Sequence, residues 1–294
     1  MKANRRSFLQ TTALACLTGN LSAAEKKLRW PIALFEKTLQ FLPYPELAEI
    51  LADLGFDGIE ATVRNKGHIE PAHAVDKLPA CVAALKKHGL TIPVMATSIS
   101  RADQKHTETT LRAAAKLGIK TYRLAGQGYD AKKPILRQLD EIKRAWHDLA
   151  AMNKELGITG IYQNHAGSRN IGGQIWDLHH LLKDINPNQL GVAYDIRHAM
   201  VEGSSAWPIS LRLIKPWIRA WYVKDFKFVG AKAQNVPMGE GIVAKSFYSG
   251  LQKDPGALPI SLHTPHIRGS KPETIKTTIA AIRRDLKVLK SLLS

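Results

Sequence analysis

One punctuation mark recurs along this chain and restricts its fold more than any other feature. An amphipathic helical stretch ends at a glycine, and a short apolar run follows at once. The mark stands at Leu54-Gly55-Phe56, His88-Gly89-Leu90, Leu117-Gly118-Ile119 and Leu156-Gly157-Ile158. Glycine just past a helix takes the left-handed backbone that closes the last turn, so each instance spells a helix stop and then a strand. The apolar runs are brief and apolar on both faces, as in parallel strands covered by helices. They predict strands at 32–35, 58–63, 92–97, 121–125, 158–163, 190–195, 218–224 and 259–263, with helices between them at 47–54, 78–88, 136–156 and 275–293. Eight such alternations predict an α/β fold, a closed (β/α)8 TIM barrel. An open doubly wound sheet is the competing arrangement, but no Gly-x-Gly-x-x-Gly turn follows any strand.

From Trp30 onward there is no Gly/Ser tract, proline run or long block of like charge, so residues 25–294 are expected to form one domain. The first 24 residues are different. Asn4-Arg5-Arg6-Ser7-Phe8-Leu9 precedes a moderately apolar stretch and the small residues Ser22-Ala23-Ala24. This resembles a twin-arginine (Tat-type) export signal, a receptor-read address that would deliver the protein to the periplasm of a bacterium. Cleavage after Ala24 would leave Cys81 as the only cysteine, so no internal disulfide is expected. Past the signal no apolar run reaches the roughly 18 residues of a bilayer-spanning helix.

The formal charge of +17 favours anionic partners. Nucleic acid is not expected among them. Lys86-Lys87, Lys132-Lys133 and Arg283-Arg284 are scattered over helices and form no stripe interleaved with aromatics. Acidic polysaccharide or anionic envelope surfaces are the simpler expectation for the charge.

In such a barrel the active site is built at the C-terminal ends of the strands. Polar residues gather there in the sequence: Glu36, Glu60 with Arg64, Thr97, Gln127, Gln163-Asn164-His165, Asp195 with Arg197 and His198, Lys224-Asp225, and His263 with His266. Polar groups closing apolar strands are costly to bury unless they pair with one another, a ligand or a metal. Asp195-Ile196-Arg197-His198 is the strongest local pattern, a carboxylate and an imidazole three residues apart. With His263 it predicts a divalent-metal site (zinc, manganese, cobalt or magnesium) that keeps a position open for substrate. Trp207, after Gly203-Ser204-Ser205, is a candidate to stack on a sugar ring, whereas Trp217 and Trp221 are expected to pack in the core.

Asp57-Gly58-Ile59-Glu60, Gln163-Asn164-His165, Tyr194-Asp195-x-x-His198, Val223-Lys224-Asp225 and Pro237-Met238-Gly239-Glu240-Gly241 occur in an order that resembles the xylose isomerase-like barrels. These form the sugar-phosphate isomerase/epimerase superfamily, and the resemblance runs from about Trp30 to Leu293. It implies a metal held by Glu, Asp, His and Glu from the fifth to eighth strands. Here those positions read Gln163, Asp195, Tyr222 and His263. In the epimerases the two lost glutamates also move the proton, so a different inventory must serve.

The expectation is an exported enzyme that abstracts a proton next to a carbonyl on a sugar or oxidised sugar, with a non-standard metal site. His263, Asp195, Lys224 and Glu60 are the candidate catalytic residues. Gln163, His165, Arg197, Trp207, Arg64 and His266 are the candidate substrate contacts. A lyase or hydratase step on a keto-sugar would use the same chemistry. The rival is a carbohydrate-binding barrel without turnover.

Overall fold

A computed structural model describes residue 28 and residues 30–267 and 271–294. The proposed export signal at 1–24 lies outside the described residues. Strands β1 (Ile32–Phe35), β2 (Gly58–Val63), β3 (Thr91–Thr97), β4 (Thr121–Arg123), β5 (Thr159–Gln163), β6 (Leu190–Asp195), β7 (Ile218–Val223) and β10 (Ile260–Leu262) form a closed parallel barrel. Closure is made by β1 against β10, with Leu34 paired to Leu262. The expected TIM barrel is what the chain adopts, and all eight expected strands are present within a residue or two of their expected limits.

Helices cover the outside: α1 (Tyr44–Leu54), α2 (Ala74–Lys87), α3 (Thr107–Lys116), α4 (Ile135–Leu156), α5 (Ile175–Leu182), α6 (Ile196–Gly203), α7 (Trp207–Ile214), α8 (Lys245–Lys253) and the terminal α9 (Ile275–Leu293). Gly55 and Gly157 cap α1 and α4 at φ 82° and 62°, the left-handed turn anticipated from their place after a helix. No described helix is long and apolar enough to cross a membrane.

Two apolar layers hold the barrel. The larger lies between strands and helices and contains Leu34, Ile59, Tyr122, Trp146, Tyr194 and Trp221. The smaller fills the lumen with Val94, Ile161, Ala193, Ala220 and Tyr222. Side chains alternate along a strand, so residues two positions further on point into the lumen as well. Above Ile161 stands Gln163, above Ala193 stands Asp195, and above Tyr222 stands Lys224. The barrel thus has an apolar plug at its base and a polar layer at its C-terminal end.

One element lies beyond the eight-unit pattern. After β7 the chain makes an antiparallel hairpin, β8 (Asp225–Val229) and β9 (Lys232–Val236). Asp225 fastens its base. Its carboxylate accepts backbone N–H groups from Phe226 (2.9 Å), Gly239 (2.9 Å), Gly241 (3.0 Å) and Val243 (3.2 Å). A Cβ on Gly241 would stand 2.0 Å from Asp225 Oδ1, so only glycine allows this wrap. The Pro237–Gly241 motif is therefore a structural clasp.

Candidate active site

Glu60 is the centre of the polar layer and is fully buried. Its Oε1 accepts from Arg123 Nε at 2.8 Å and from the Tyr222 hydroxyl at 2.7 Å. Its Oε2 accepts from Ser261 Oγ at 2.6 Å and from His263 Nε2 at 2.8 Å. Burial alone would raise its pKa, but the charges of Arg123 and His263 and the hydrogen bonds of His263 and Ser261 bring it down to about 2. Glu60 is thus ionised and can only accept, so Nε2 of His263 must carry the proton. Burial also lowers the pKa of His263, against the pull of Glu60, and the neutral ring keeps its lone pair on Nδ1. No described residue hydrogen-bonds that nitrogen. Phe35 stacks on the imidazole with centroids 4.5 Å apart, and Tyr222 is tilted against it at 4.6 Å.

A second carboxylate lies next to this group. Arg123 Nη1 donates to Gln163 Oε1 at 3.0 Å, and Gln163 Nε2 donates to Asp195 Oδ2 at 2.7 Å. Lys224 Nζ reaches the same oxygen at 2.7 Å. Asp195 caps the following helix α6 (Ile196–Gly203) by accepting the His198 N–H, and Asn164 brackets the Asp195 backbone with two hydrogen bonds. Burial would raise the Asp195 pKa, but Lys224 and His198 hold it well below the carboxylate range. The Lys224 pKa is lowered by burial and supported by Asp195.

His198 lies between two cations, with Lys224 Nζ 2.9 Å from Nε2 and Arg197 Nη1 3.0 Å from Nδ1. Burial together with Lys224, His165 and Arg197 lowers its pKa well below the usual value despite Asp195. A neutral imidazole offers one acceptor nitrogen, so it cannot quench both neighbours.

The family's usual metal does not fit this donor set. Gln163 supplies an amide where a carboxylate would bind, and Tyr222 gives its hydroxyl to Glu60. His263 is likewise turned to Glu60, and the Lys224 ammonium already holds the Asp195 oxygen. The expected metal ligands Asp195, His198 and His263 are therefore not assembled around one point. Among the described residues no cluster of three or more His, Cys, Asp or Glu side chains has the form of a metal site.

A cavity of about 560 Å³ opens above the polar layer and is lined by Phe35, Lys37, Arg64, Arg123, Gln163, His165, Lys224 and His263. The candidates Gln163, His165 and Arg64 thus face it together with His263 and Lys224, and the His165 ring lies tilted against that of His198 with centroids 3.8 Å apart. Three other candidates do not line it. Arg197 packs over Phe226 at 5.3 Å and donates to the Ala233 carbonyl, bracing the hairpin. Trp207 begins helix α7 (Trp207–Ile214) and meets Phe247 edge-on, so it belongs to outer packing. His266 turns to Asp285 of α9, 3.5 Å away. Trp221 packs in the core as expected.

Arg123 was not anticipated from the sequence, although it joins the two carboxylate groups. Its signal is its place: it is the one charged residue of Thr121-Tyr122-Arg123, on the face of the strand opposite the buried Tyr122. Thr97 and Asp225, by contrast, serve the backbone, Thr97 donating to the Arg123 carbonyl at 2.8 Å.

The family model of the xylose isomerase-like TIM barrel matches residues 48–292. No curated protein matches the sequence. Among solved structures, the 3-keto-D-glucoside 4-epimerase YcjR from E. coli superposes with a TM-score of 0.69 at 16% identity, covering 89% of this chain and 99% of that one. The IOLI protein, whose crystal structure carries a zinc atom, gives 0.69 at 16% identity over 90% and 98%. D-psicose 3-epimerase with D-fructose gives 0.63 at 15% identity over 89% and 96%. At these identities the likeness is one of fold.

Proposed function

Because this chain belongs to the xylose isomerase-like TIM barrel family, we propose that it is a sugar isomerase or epimerase that abstracts a proton next to a carbonyl on a sugar or oxidised sugar. The observation that carries the reading is the Glu60–His263 pair at the cavity floor. An ionised, buried carboxylate fixes the tautomer of a neutral imidazole and leaves a basic nitrogen without a hydrogen-bond partner among the described residues. That is the arrangement of an oriented general base.

In the proposed step Nδ1 of His263 takes the proton from the carbon beside the carbonyl. The electron pair moves to the carbonyl oxygen, giving an enediolate, and the positive charge of Lys224 stabilises it. Return of the proton to the former carbonyl carbon, with the remaining enediol hydroxyl proton passing to the oxyanion, completes an isomerisation. In an epimerisation His263 keeps the abstracted proton, and water entering the cavity protonates the opposite face of the same carbon. Asp195 keeps Lys224 in place, and Arg123 holds Glu60. No step passes through a metal, since the donor set does not fit one. The epimerases among the fold neighbours support the sugar reading by analogy.

The test is incubation with a panel of keto- and aldo-sugars and uronic acids in deuterated water, with His263→Asn as control. Deuterium at the carbon beside the carbonyl, lost in the variant, is the expected result. Ligand-induced stabilisation without exchange would leave a carbohydrate-binding barrel. The same reading takes residues 1–24 as a twin-arginine signal and the periplasm as the working compartment. Replacing Arg5 and Arg6 by lysine should retain the protein in the cytoplasmic fraction.

A further inference from the structure

We propose that the substrate carries a carboxylate, received at the mouth of the cavity by Arg64 with Lys37 beside it, while its carbonyl end reaches His263 and Lys224. This rests on the reading of the cavity as the reacting site and narrows it from sugars at large to sugar acids.

The first argument is charge balance. Lys37, Arg64, Arg123 and Lys224 line the cavity, and no carboxylate does. Glu60 and Asp195 lie buried beneath it, and each is matched by one cation, Arg123 and Lys224 respectively. The nearby Glu36 is taken by Thr62 and His68. With Glu36 counted as one anion, Lys37 and Arg64 together leave one net positive charge at the mouth.

The second argument is the state of Arg64. Its side chain makes no hydrogen bond or ion pair with any described residue, and its Nε is buried without a partner. Its guanidinium carbon lies 5.5 Å from the Phe35 ring centroid, and that of Arg123 lies 5.3 Å from the same centroid. Like charges crowded on one ring repel, and an anion in front of them relieves the repulsion. The ring of Phe35 also stacks on His263, so one aromatic platform serves both the free guanidinium and the base.

The third argument separates carboxylate from phosphate. A barrel commonly receives phosphate on backbone amides of the loops after its last two strands. Here the amides of the segment after β7 are consumed by the clasp, since Asp225 accepts from Phe226, Gly239, Gly241 and Val243. The donor that Arg64 presents to the cavity is a planar guanidinium, whose paired N–H groups match the two oxygens of a carboxylate.

Calorimetric titration of the full protein with D-glucuronate, D-glucose 6-phosphate and D-glucose tests the idea, using wild type, Arg64→Lys and Arg64→Met. Glucuronate is expected to bind at least tenfold more tightly than glucose and more tightly than the phosphate ester. Arg64→Met should weaken glucuronate binding at least tenfold more than it weakens glucose binding, while Arg64→Lys keeps part of the preference. Unchanged melting temperatures would show that both variants are folded. Equal affinity for glucuronate and glucose, a preference that survives Arg64→Met, tighter binding of the phosphate ester, or no binding of glucuronate overturns the proposal. Arg64-dependent glucuronate binding without deuterium exchange would uphold it while removing the proposed isomerase chemistry.

Discussion

Lys224 Nζ stands 2.7 Å from Oδ2 of Asp195, both side chains buried, so this barrel carries a fixed internal cation against its sixth-strand carboxylate. The pair forms between the end of β6 and the residue after β7, neighbouring strands of the barrel. Removing one partner strands the other's charge in a low-dielectric setting. Lys224→Met is expected to cost about 3–5 kcal/mol in urea unfolding. The double variant Lys224→Met/Asp195→Asn should recover much of that loss. Strictly additive losses would show that the two groups are not coupled.

Metal dependence follows from the same donor set. Millimolar Mn²⁺, Co²⁺ or Zn²⁺ should leave the melting temperature unchanged, and chelator treatment should leave deuterium exchange unchanged. Stoichiometric metal in elemental analysis of protein purified without chelators, lost on Asp195→Ala, would refute this.

Glu60 links acid stability to the site. Its pKa falls from an ordinary 4.5 to about 2 in the fold, so the unfolded chain binds more protons between those values. The resulting stability is present above pH 4.5 and lost as pH falls to 2, about 3 kcal/mol in all. Glu60→Gln should be less stable at pH 7 and show a flatter loss across that acid window. Parallel stability–pH curves for the two proteins would contradict the assignment.

His263 should govern the acid limb of activity. Burial lowers its pKa, so the ring is a competent base throughout the neutral range, and the rate should fall only below about pH 6.5. His263→Asn is expected to lose ~10²–10⁴-fold in exchange rate with its fold retained. An acid limb that persists unchanged in residual His263→Asn activity would point to another base.

Asp285, in contact with His266, behaves oppositely to Glu60. Burial raises its pKa from 3.8 to about 6, while the Met238 N–H and Arg284 lower it and Glu240 and Asp225 raise it. The folded state therefore holds the proton more tightly, so stability is lost as pH rises from 3.8 to about 6, and the full cost persists above that. Asp285→Asn, which can still accept the Met238 N–H, should raise the melting temperature at pH 7.5 and change little at pH 4. Equal effects at both pH values would argue against ionisation as the cause.

The barrel was legible in the sequence because its rule is local: helix, glycine and apolar run recur in order, and Gly55, Gly89, Gly118 and Gly157 all adopt positive φ. The strand-end positions of Gln163, Asp195, Lys224 and His263 followed from the same rule, whereas Glu60 lies in the middle of β2. Partner choice did not, because it is decided across the lumen. Glu60 finds His263 at a separation of 203 residues, and nothing near either residue in the sequence announces it. Arg197 and Trp207 were misjudged for a related reason. A residue just past a strand can turn to the mouth or to a neighbouring element, and the unforeseen hairpin β8–β9 captured Arg197 while Phe247 captured Trp207. The ammonium of Lys224 at the Asp195 oxygen was equally hidden, since it reaches that oxygen only once β6 and β7 lie side by side.

The four donors that converge on Glu60 have an architectural corollary. They come from β4, from β7 and from the segment that seals the ring, while the acceptor sits on β2. A fragment ending before β7 would leave this anion with Arg123 alone, and one beginning there would present Tyr222, Ser261 and His263 with nothing to bind. The two pieces are thus unsuited to independent life, and the chain must commit to closing the circle in one cooperative event.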